Sequence, residues 1–498
     1  MWKQFLNKLP RKSQKSALDS ARNPNLDAGS GRACTGSSAT KRASAAVFPA
    51  SVISGIEPLL AFKDVSNSEK MNLFISKLSL CCVVFDFTDP AKNVQEKELK
   101  RATLLELVDF VSENPPKFSE PSILASCKMC SINLFRVFPP KCRSRCTSSG
   151  ENENDDEPTF DPAWSHLQLV YEFLLKFLTS SSLEAKAAKK YVNNDFISRI
   201  IDLLESEDPR ERDCLKAILH RIYGKFMIHR PFIRKCISNV FYRFVFEVEK
   251  HNGIAELLEI FGSVITGFAL PLKEEHKVFF WRALIPLHKP KSLGVYFQQL
   301  SYCVNQYVEK EPKLASHLIQ GLLKYWPITN SQKEVMFLGE VEEILEVISM
   351  SEFQKVMVPL FCRIKHCINS YHFQVAERTL YLWNNDQILS LVAHNRQVIL
   401  PIVFPALEAN AQNHWNQAVL NLTMNSRKML TEMDNALVSA CISNNQEQQE
   451  RVSSLAEKRK QVWEHLESTA SLQPMMARNT AVLVPVAKSV VLVAAGAG

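Results

Sequence analysis

The chain contains little glycine: 14 of its 498 residues are Gly, less than half of the share of about 7% that is usual in proteins. Glycine is the usual residue in tight hairpin turns and in loops whose backbone lies close to a bound phosphate. Its scarcity therefore argues against hairpin-rich β folds and against a nucleotide-binding enzyme. The sequence also contains no P-loop, no metalloprotease helix motif and no G-x-S-x-G turn, so we predict no catalytic residue, no metal and no cofactor.

A long apolar segment is missing from the amino terminus, which lacks the continuous apolar core of a secretory signal peptide. The 13 cysteines are scattered, so reduced thiols and a cytoplasmic or nuclear protein are expected. Near the other end, residues 481–495 are apolar but contain Pro485 and Lys488, and they fall short of the roughly 20 residues of a membrane helix. We expect residues 471–498 to be an unstructured apolar tail, with no membrane partner.

Most of the chain has no net charge. The net charge is +7, and residues 1–45 hold nine Lys or Arg against two Asp, so this segment carries all of it. Residues 1–45 are also rich in Ser and Ala with little apolar periodicity, which predicts a disordered basic tail. Within it, Lys41-Arg42-Ala43-Ser44 suits a basophilic kinase. Because a nucleic-acid binder carries its basic excess on the folded domain, no nucleic-acid partner is expected.

Residues 46–470 are dominated by the periodicity of amphipathic helices. Two segments show it clearly: Leu104, Leu105, Leu107, Val108 and Val111, and then Leu167, Leu169, Val170, Phe173, Leu174 and Phe177. Pairs such as Asp208-Pro209 and Lys289-Pro290 mark boundaries between helices. The pattern predicts an all-α fold with almost no strand.

A repeat of 42 residues is visible late in this region. The segment 357–361 (Met-Val-Pro-Leu-Phe) is echoed at 399–404, and 372–376 (His-Phe-Gln-Val-Ala) is echoed at 414–419. The offset falls within the range of about 40–47 residues for two-helix HEAT or armadillo units, which stack their apolar faces into a solenoid. After the repeats, residues 447–467 are highly charged with apolar residues at helical spacing, and they either cap the stack or project from it.

Cationic and imidazole side chains recur between apolar helical stretches from residue 219 to residue 277. His220, Arg221 and Tyr223 fall within one helical turn, and Arg230 follows nearby. An Arg holds a carboxylate through two parallel hydrogen bonds, so a groove of this kind would select a short acidic peptide with apolar anchors. The same pattern is also typical of the solvated faces of ordinary helices, and composition alone does not separate the two interpretations.

Two further groups of residues have competing interpretations. The acidic run 151–157 reads as a solvated, flexible loop. Cys127-x-x-Cys130 and Cys142-x-x-x-Cys146 have a spacing close to that of paired zinc ligands, but the apolar segment between them reads as a helix, whereas zinc pairs normally lie on knuckle turns. Incidental thiols are therefore the favoured interpretation.

Several blocks of sequence resemble the B-prime family of regulatory subunits of protein phosphatase type 2A. The resemblance covers roughly residues 52–468. The blocks that carry it are 219–226 (Leu-His-Arg-Ile-Tyr-Gly-Lys-Phe), 242–244 (Tyr-Arg-Phe), 251–258 (His-Asn-Gly-Ile-Ala-Glu-Leu-Leu), 268–277 (Phe-Ala-Leu-Pro-Leu-Lys-Glu-Glu-His-Lys), 325–327 (Tyr-Trp-Pro), 333–338 (Lys-Glu-Val-Met-Phe-Leu) and 372–378 (His-Phe-Gln-Val-Ala-Glu-Arg).

The resemblance implies a HEAT-like superhelix that joins a scaffold subunit and a metal-dependent catalytic subunit in a heterotrimer. It further implies binding of Leu-x-x-Ile-x-Glu motifs in substrates or adaptors. The residues that match the family's motif groove are His220, Arg221, Tyr223, Arg230, Ile260, Lys273 and His276. Val264 belongs to the same groove, where the family commonly has Ile, and Pro231 is a departure that could shift Arg230.

The resemblance also gives the acidic run an alternative role, as a loop that approaches the catalytic subunit. Glu157, Pro158 and Trp164 match the family best there. The function expected from these observations is that of a non-catalytic regulatory subunit that directs the phosphatase to its substrates in signal transduction. The alternative is an α-solenoid cargo or transport adaptor that works without a phosphatase, and co-purification with a phosphatase would distinguish the two.

Overall fold

The structure, a computed structural model, describes residues 57–113, 117–138 and 160–472. These residues form helices joined by short connections, and no strand occurs among them. The predicted all-α fold built from helical repeats is confirmed. The domain boundaries predicted at residues 45 and 470 stay predictions, because the basic tail and nearly all of the apolar tail lie outside the described residues.

The helices vary from one turn to more than ten turns. The α-helices are α1 (Lys70–Leu80), α2 (Val94–Ser112), α3 (Glu120–Leu134), α4 (Trp164–Thr179), α5 (Ala185–Ala188), α6 (Asn194–Asp202), α7 (Pro209–Lys225), α8 (Arg230–Arg243), α9 (Ile254–Thr266), α10 (Glu274–Phe279), α11 (Phe297–Lys310), α12 (Leu314–Lys324), α13 (Ser331–Val347), α14 (Met350–Ile368), α15 (Phe373–Tyr381), α16 (Asp386–His394), α17 (Arg396–Asn413), α18 (Gln417–Met433) and α19 (Asn435–Leu472). Short 3-10 helices occupy Phe62–Asp64, Leu203–Glu205, Met227–His229, Ile285–His288, Lys291–Val295 and Leu382–Asn384, and π-helical turns occupy Phe244–Val248 and Phe280–Leu284.

The chain divides into two compact units, residues 1–353 and 354–498. In the first unit, one set of helices packs each member on the equivalent helix of the next repeat: α2 on α4, α4 on α7, α7 on α9, α9 on α11, and α11 on α13. A second set of contacts joins α1 to α3 and α6 to α8. Stacking of equivalent helices is how a repeat array buries apolar faces that a single repeat leaves exposed.

Side chains at helical spacing form the core of the first unit. All six of the predicted core residues of α4 are buried, and so are four of the five on α2. Leu105 was expected among them, but its side chain is 40% exposed, because it lies one position away from the buried stripe that Leu104 and Val108 define. Each fully buried Leu or Phe stabilises the fold by about 1.5–3 kcal/mol.

Local signals at the start of α7 place it as the sequence predicted. The Asp208 carboxylate accepts a hydrogen bond of 2.9 Å from the backbone N–H of Arg210, and Pro209 occupies the first helical position. An Asp at the N-cap satisfies an amide that has no partner within the helix, and Pro at the next position loses nothing because its missing N–H would be unpaired. The helix therefore begins at a fixed residue, which sets the phase of its later side chains.

The second unit contains the 42-residue repeat. Pro359 lies inside α14 and Pro401 lies at the equivalent position inside α17. The helices that follow, α15 and α18, pack against each other. The Trp415 indole Nε1 donates a hydrogen bond of 3.0 Å to the carbonyl oxygen of Tyr371 in the preceding repeat. The echoed residues thus occupy matching positions in successive helix pairs.

In the described part of the chain, no single helix is both long enough and apolar enough to cross a membrane. The pair formed by α16 and α17 meets these criteria together, but its two helices meet at an angle of 112°.

Candidate functional site

His220 and Arg221 lie side by side near the carboxyl end of α7. The Nε2 atom of His220 lies 2.9 Å from the Ser263 hydroxyl on α9, within hydrogen-bond distance. Burial, and then the charge of Arg221, lowers the pKa of His220 below its usual value. At neutral pH the ring is therefore uncharged and is held in position by the neighbouring helix.

Arg221 is exposed, and it makes no hydrogen bond or ion pair with any other residue that the structure describes. Its neighbour Lys225, by contrast, uses its ammonium group within the fold: Nζ donates to the carbonyl oxygens of Leu178 at 2.8 Å and Ser180 at 2.9 Å. Arg221 therefore has all of its donors available for a ligand. An unpaired guanidinium on a rigid helix suits a carboxylate or a phosphate.

A pocket of about 420 Å³ opens beside these two residues between the end of α4 and the end of α7. It is lined by Leu178, Thr179, Ser180, Ser181, Leu183, His220, Arg221, Gly224 and Lys225. Hydroxyl and cationic groups share the lining with two Leu side chains. The pocket can therefore accept a short polar or acidic segment with some apolar contact.

Arg230 and Tyr223 form a stacked pair beyond the pocket. The Arg230 guanidinium lies 5.2 Å from the centre of the Tyr223 ring, and its Nε donates a hydrogen bond of 2.9 Å to the Tyr223 carbonyl oxygen. Arg234 reaches the Tyr223 hydroxyl at 3.3 Å from the other direction. Pro231 lies in the first turn of α8, where a missing N–H is tolerated, and Arg230 keeps its contacts despite it.

Lys273 and His276, which the family resemblance placed together in the motif groove, lie in different environments. Lys273 immediately precedes α10 and is exposed, whereas His276 is buried. The His276 ring stacks on Phe268 with ring centres 3.6 Å apart, and its Nε2 lies 3.3 Å from the Glu275 carboxylate. Burial lowers the pKa of His276, an effect that Glu275 partly opposes.

Ile260 and Val264 lie on α9, in the core of the unit. Ile260 has no exposed surface and Val264 is 5% exposed. The family resemblance implied that both belong to the motif groove, but in this conformation they present almost no surface to a ligand. Periodicity identifies an apolar stripe, but it does not say whether the next helix covers that stripe.

A second candidate surface surrounds Trp164 at the start of α4. The Arg210 guanidinium lies 4.6 Å from the ring centres of both Phe160 and Trp164, and the Asp208 carboxylate holds it through a contact of 2.6 Å. Glu157 and Pro158, which were predicted to act with Trp164, lie outside the described residues. The part that is described is an aromatic patch with an ion pair at its centre.

A buried network that sequence reasoning missed lies next to this patch. Arg136 contacts both carboxylate oxygens of Glu211 at 2.7 Å and lies 3.3 Å from Asp161. The hydroxyls of Tyr171 and Ser206 each donate to Glu211 at 2.5 Å. In the sequence, Arg136 precedes the predicted acidic loop and Asp161 follows it. No sequence pattern could have indicated a pair 75 positions apart.

The cysteines considered as zinc ligands are only partly described. Cys127 and Cys130 lie on the continuous helix α3 and are buried, and burial raises the pKa of Cys127 to about 12. Cys142 and Cys146 lie outside the described residues. In the described ranges, no group of three or more metal-binding side chains comes together.

Comparisons with known protein sequences agree on one family. The family described as "Protein phosphatase 2A regulatory B subunit (B56 family)" matches residues 59–470. The chain is 63% identical to the B' kappa isoform of the 57 kDa regulatory subunit of serine/threonine protein phosphatase 2A from Arabidopsis thaliana, over 98% of this chain and 100% of that protein. It is 63% identical to the B' kappa isoform of Oryza sativa subsp. japonica, over 97% and 98%. It is 55% identical to the Arabidopsis B' theta isoform, over 94% and 98%.

Proposed function

The chain belongs to the B56 family of protein phosphatase 2A regulatory B subunits, and from that premise we propose that it directs the phosphatase to substrates by binding Leu-x-x-Ile-x-Glu motifs. It is a regulatory subunit rather than a catalytic one. Within the proposal, it assembles with the scaffold and catalytic subunits as a heterotrimer. Binding a motif then raises the local concentration of an attached phosphosite, to about millimolar with a short flexible linker.

In the proposed complex, the Glu of the motif pairs with Arg221. His220, held by Ser263, frames the same carboxylate, and Tyr223 and Arg230 form the adjacent wall. Lys273 attracts a phosphate or an acidic residue near the start of the motif. A guanidinium favours the Glu because its two parallel donors match a carboxylate.

The apolar anchors of the motif require some rearrangement. Val264 exposes a small surface and Ile260 exposes none, so the Leu and Ile of the motif would rest above α9 and displace the side chains that cover it. His276, stacked on Phe268 at this edge, would move with them. Side-chain rearrangements of this size are common when an interface forms.

One observation carries the proposal: Arg221 is exposed, lines the pocket and has no partner among the described residues. Three other cations of this region are already engaged. Lys225 binds the end of α4, Arg234 lies 3.1 Å from Glu275, and Arg212 lies 2.9 Å from Glu256. A ligand carboxylate gains more binding free energy from an unpaired guanidinium than from a cation that already has a partner in the fold.

Calorimetry with a Leu-x-x-Ile-x-Glu peptide tests the proposal. Arg221→Ala removes a charge-assisted contact that contributes roughly 1.5–3 kcal/mol, so the affinity should fall by about ten- to a hundredfold. Lys128→Ala, which removes an exposed cation on α3, is the matched control and should bind like the unmodified chain. A peptide with Gln in place of Glu should lose affinity for the unmodified chain and much less for Arg221→Ala.

The proposal fails if the unmodified chain ignores the peptide, or if Arg221→Ala binds it as tightly. The alternative of a phosphatase-independent cargo adaptor predicts purification without scaffold or catalytic subunits, and affinity purification from cells decides this point. We also propose that the protein resides in the cytoplasm, the nucleus or both, because its buried cysteines are free thiols. Imaging of the tagged full-length chain tests that location.

A further inference from the structure

The last helix of the described chain extends well beyond its packing contacts. Near its start, α19 packs on α17 and α18, and Val438 and Cys441 are buried there. Every residue from 446 to 471 is exposed. More than six turns of helix therefore have no covering element among the described residues of this unit.

This exposed segment nevertheless has an apolar stripe. Val452, Leu455, Val462 and Leu466 are between 51% and 60% exposed, and their spacing of three, seven and four positions keeps them on one side of the helix. Arg459 lies four positions after Leu455 and three before Val462, so the five residues alternate at intervals of three and four. That alternation is the seam of a coiled coil, in which each apolar side chain packs into a partner helix.

Charges are sorted by side along the same segment. Glu450, Glu457 and Glu464 recur every seven residues on the side away from the stripe. Arg451 and Lys458 recur at the same interval along one border of the stripe, and Arg459 lies within it. Arg451 comes no closer than 3.9 Å to Glu447, and Lys458 and Arg459 form no ion pair with any described residue. The face that would meet a partner is therefore apolar and cationic.

The charge pattern decides which partner fits. If two copies of this helix paired in parallel, Arg459 of one copy would face Arg459 of the other in the seam. If they paired antiparallel, the border with Arg451 and Lys458 would face the same cationic border of the other copy. Residues 473–498 contain no Asp or Glu, and residues 1–45 are basic, so neither tail supplies counter-charges. Like charges across an interface cost several kcal/mol.

We propose that residues 451–466 of α19 form a docking surface for an acidic amphipathic helix of another protein. Apolar residues of that helix would cover the stripe, and its Glu or Asp side chains would pair with Arg451, Lys458 and Arg459. This surface is separate from the pocket at α7, so it would recruit a second class of partner and does not depend on the peptide-binding proposal.

The test uses two synthetic four-heptad peptides with Leu at every seam position. One carries Glu at all flanking positions and the other carries Lys, so that neither pairs with itself. Fluorescence anisotropy with the full-length chain should show binding of the Glu peptide, at least about tenfold tighter than the Lys peptide, and the affinity should fall as salt rises.

Variants then separate the two components of the surface. Leu455→Ser with Val462→Ser should abolish binding of the Glu peptide, and Lys458→Glu with Arg459→Glu should reverse the preference in favour of the Lys peptide. Glu457→Lys, on the opposite side of the helix, is the control and should leave the preference unchanged. All of these side chains are exposed, so far-UV circular dichroism should report the same helix content for each variant.

Three results would overturn the proposal. The first is equal binding of the two peptides, or binding of neither. The second is a dimer of the chain alone in sedimentation that Leu455→Ser with Val462→Ser dissolves, which would make a second copy the occupant. The third is tighter binding of the Glu peptide after Val484→Asp with Leu492→Asp, which would show that the chain's own apolar tail covers the stripe.

Discussion

At the scale of single residues, Lys100 is the most unusual group in the first unit. Its side chain is almost completely buried, and its Nζ donates to the carbonyl oxygen of Val83 at 2.5 Å and to the Asn133 side chain at 2.6 Å. No carboxylate hydrogen-bonds or pairs with it among the described residues. Burial lowers its pKa from the usual 10.5 to about 8, because a charged amine is costly in a low-dielectric site.

Lys100 should therefore make stability depend on alkaline pH. Between pH 8 and 10.5 the unfolded chain binds a proton that the folded chain has released, so stability rises with pH across that range. The shift corresponds to roughly 3 kcal/mol. Urea unfolding at pH 7 and pH 10 should show the unmodified chain gaining stability relative to Lys100→Met by about this amount. An equal difference at both pH values would contradict the prediction.

Glu211 should be essential for stability because it balances a buried charge. Glu211→Gln keeps the size of the side chain but leaves the Arg136 guanidinium with Asp161 alone, at 3.3 Å. Removing one partner of a buried ion pair costs about 3–5 kcal/mol. Thermal or urea unfolding measures this loss, and Asp213→Asn, an exposed acid on the same helix, should change stability by less than about 0.5 kcal/mol. Similar unfolding midpoints for the two variants would refute the role of Glu211.

At the scale of helices, some of the rare glycines mark close contacts between elements and others do not. A Cβ atom at Gly253, just before α9, would lie 2.4 Å from the backbone oxygen of Leu204. At Gly224, inside α7, an added Cβ would meet nothing within 4 Å. The same substitution therefore has opposite consequences at the two positions.

Gly253→Ala should destabilise the protein by about 1–3 kcal/mol, because the backbone of Leu204 must move to relieve the overlap. Gly224→Ala should stabilise it by about 0.5–1 kcal/mol, because Ala loses less conformational entropy in a helix. Unfolding midpoints of the two variants provide the measurement. A stabilising Gly253→Ala would mean that α9 has more freedom at this end than the contact distance implies.

The sequence predicted which segments form helices and which side of each helix is apolar. It did not predict which of those apolar sides are buried by neighbouring helices. The stripe on α4 and the start of α7 followed from spacing and from Asp208-Pro209, which act within one segment. The burial of Ile260 and of His276 depends on neighbouring helices, which periodicity does not identify. The π-helical turn Phe244–Val248 interrupts an ordinary apolar pattern, and the residues themselves give no signal for it.

The candidate site shows the same limit. The adjacency of His220 and Arg221 follows from their sequence positions, and the family resemblance supplied their interpretation. That Arg221 is free while Lys225 is engaged depends on the carbonyl oxygens at the end of α4, which no spacing rule reports. Sequence reasoning thus identified which residues to consider, and the structure distinguished Arg221, which is available, from Lys225, which is engaged.

At the scale of the whole molecule, the proposed functions use surfaces that are built from different residues. The peptide pocket involves α4 and α7, the aromatic patch surrounds Trp164, and the proposed docking surface lies on α19 of the second unit. Within the first unit, the Arg136–Glu211 network ties the residues before and after the acidic loop to α7. Loss of one function should therefore leave the others intact, since each surface has its own residues.

Assembly and substrate recruitment should consequently be separable in one experiment. In the proposed heterotrimer, the acidic loop meets a cationic, metal-bearing surface of the catalytic subunit, so Glu157→Lys should weaken assembly or alter phosphatase activity through like-charge repulsion. Because the proposed role of Glu157 is in docking and not in folding, the free energy of unfolding of this variant should change by less than about 0.5 kcal/mol. Arg221→Ala should retain scaffold and catalytic subunits at the level of the unmodified chain while losing motif-containing proteins.

Quantitative affinity purification of the two variants, with activity measured on the eluates, checks both expectations against each other. If Glu157→Lys co-purifies normally and its activity is unaltered, the loop has no part in docking. If Arg221→Ala loses the phosphatase subunits as well as the substrates, the pocket and the assembly surface are not independent. Opposite losses in the two variants are expected only if the chain recruits substrates with one surface and holds the enzyme with another, because each substitution changes one residue that the other surface does not use.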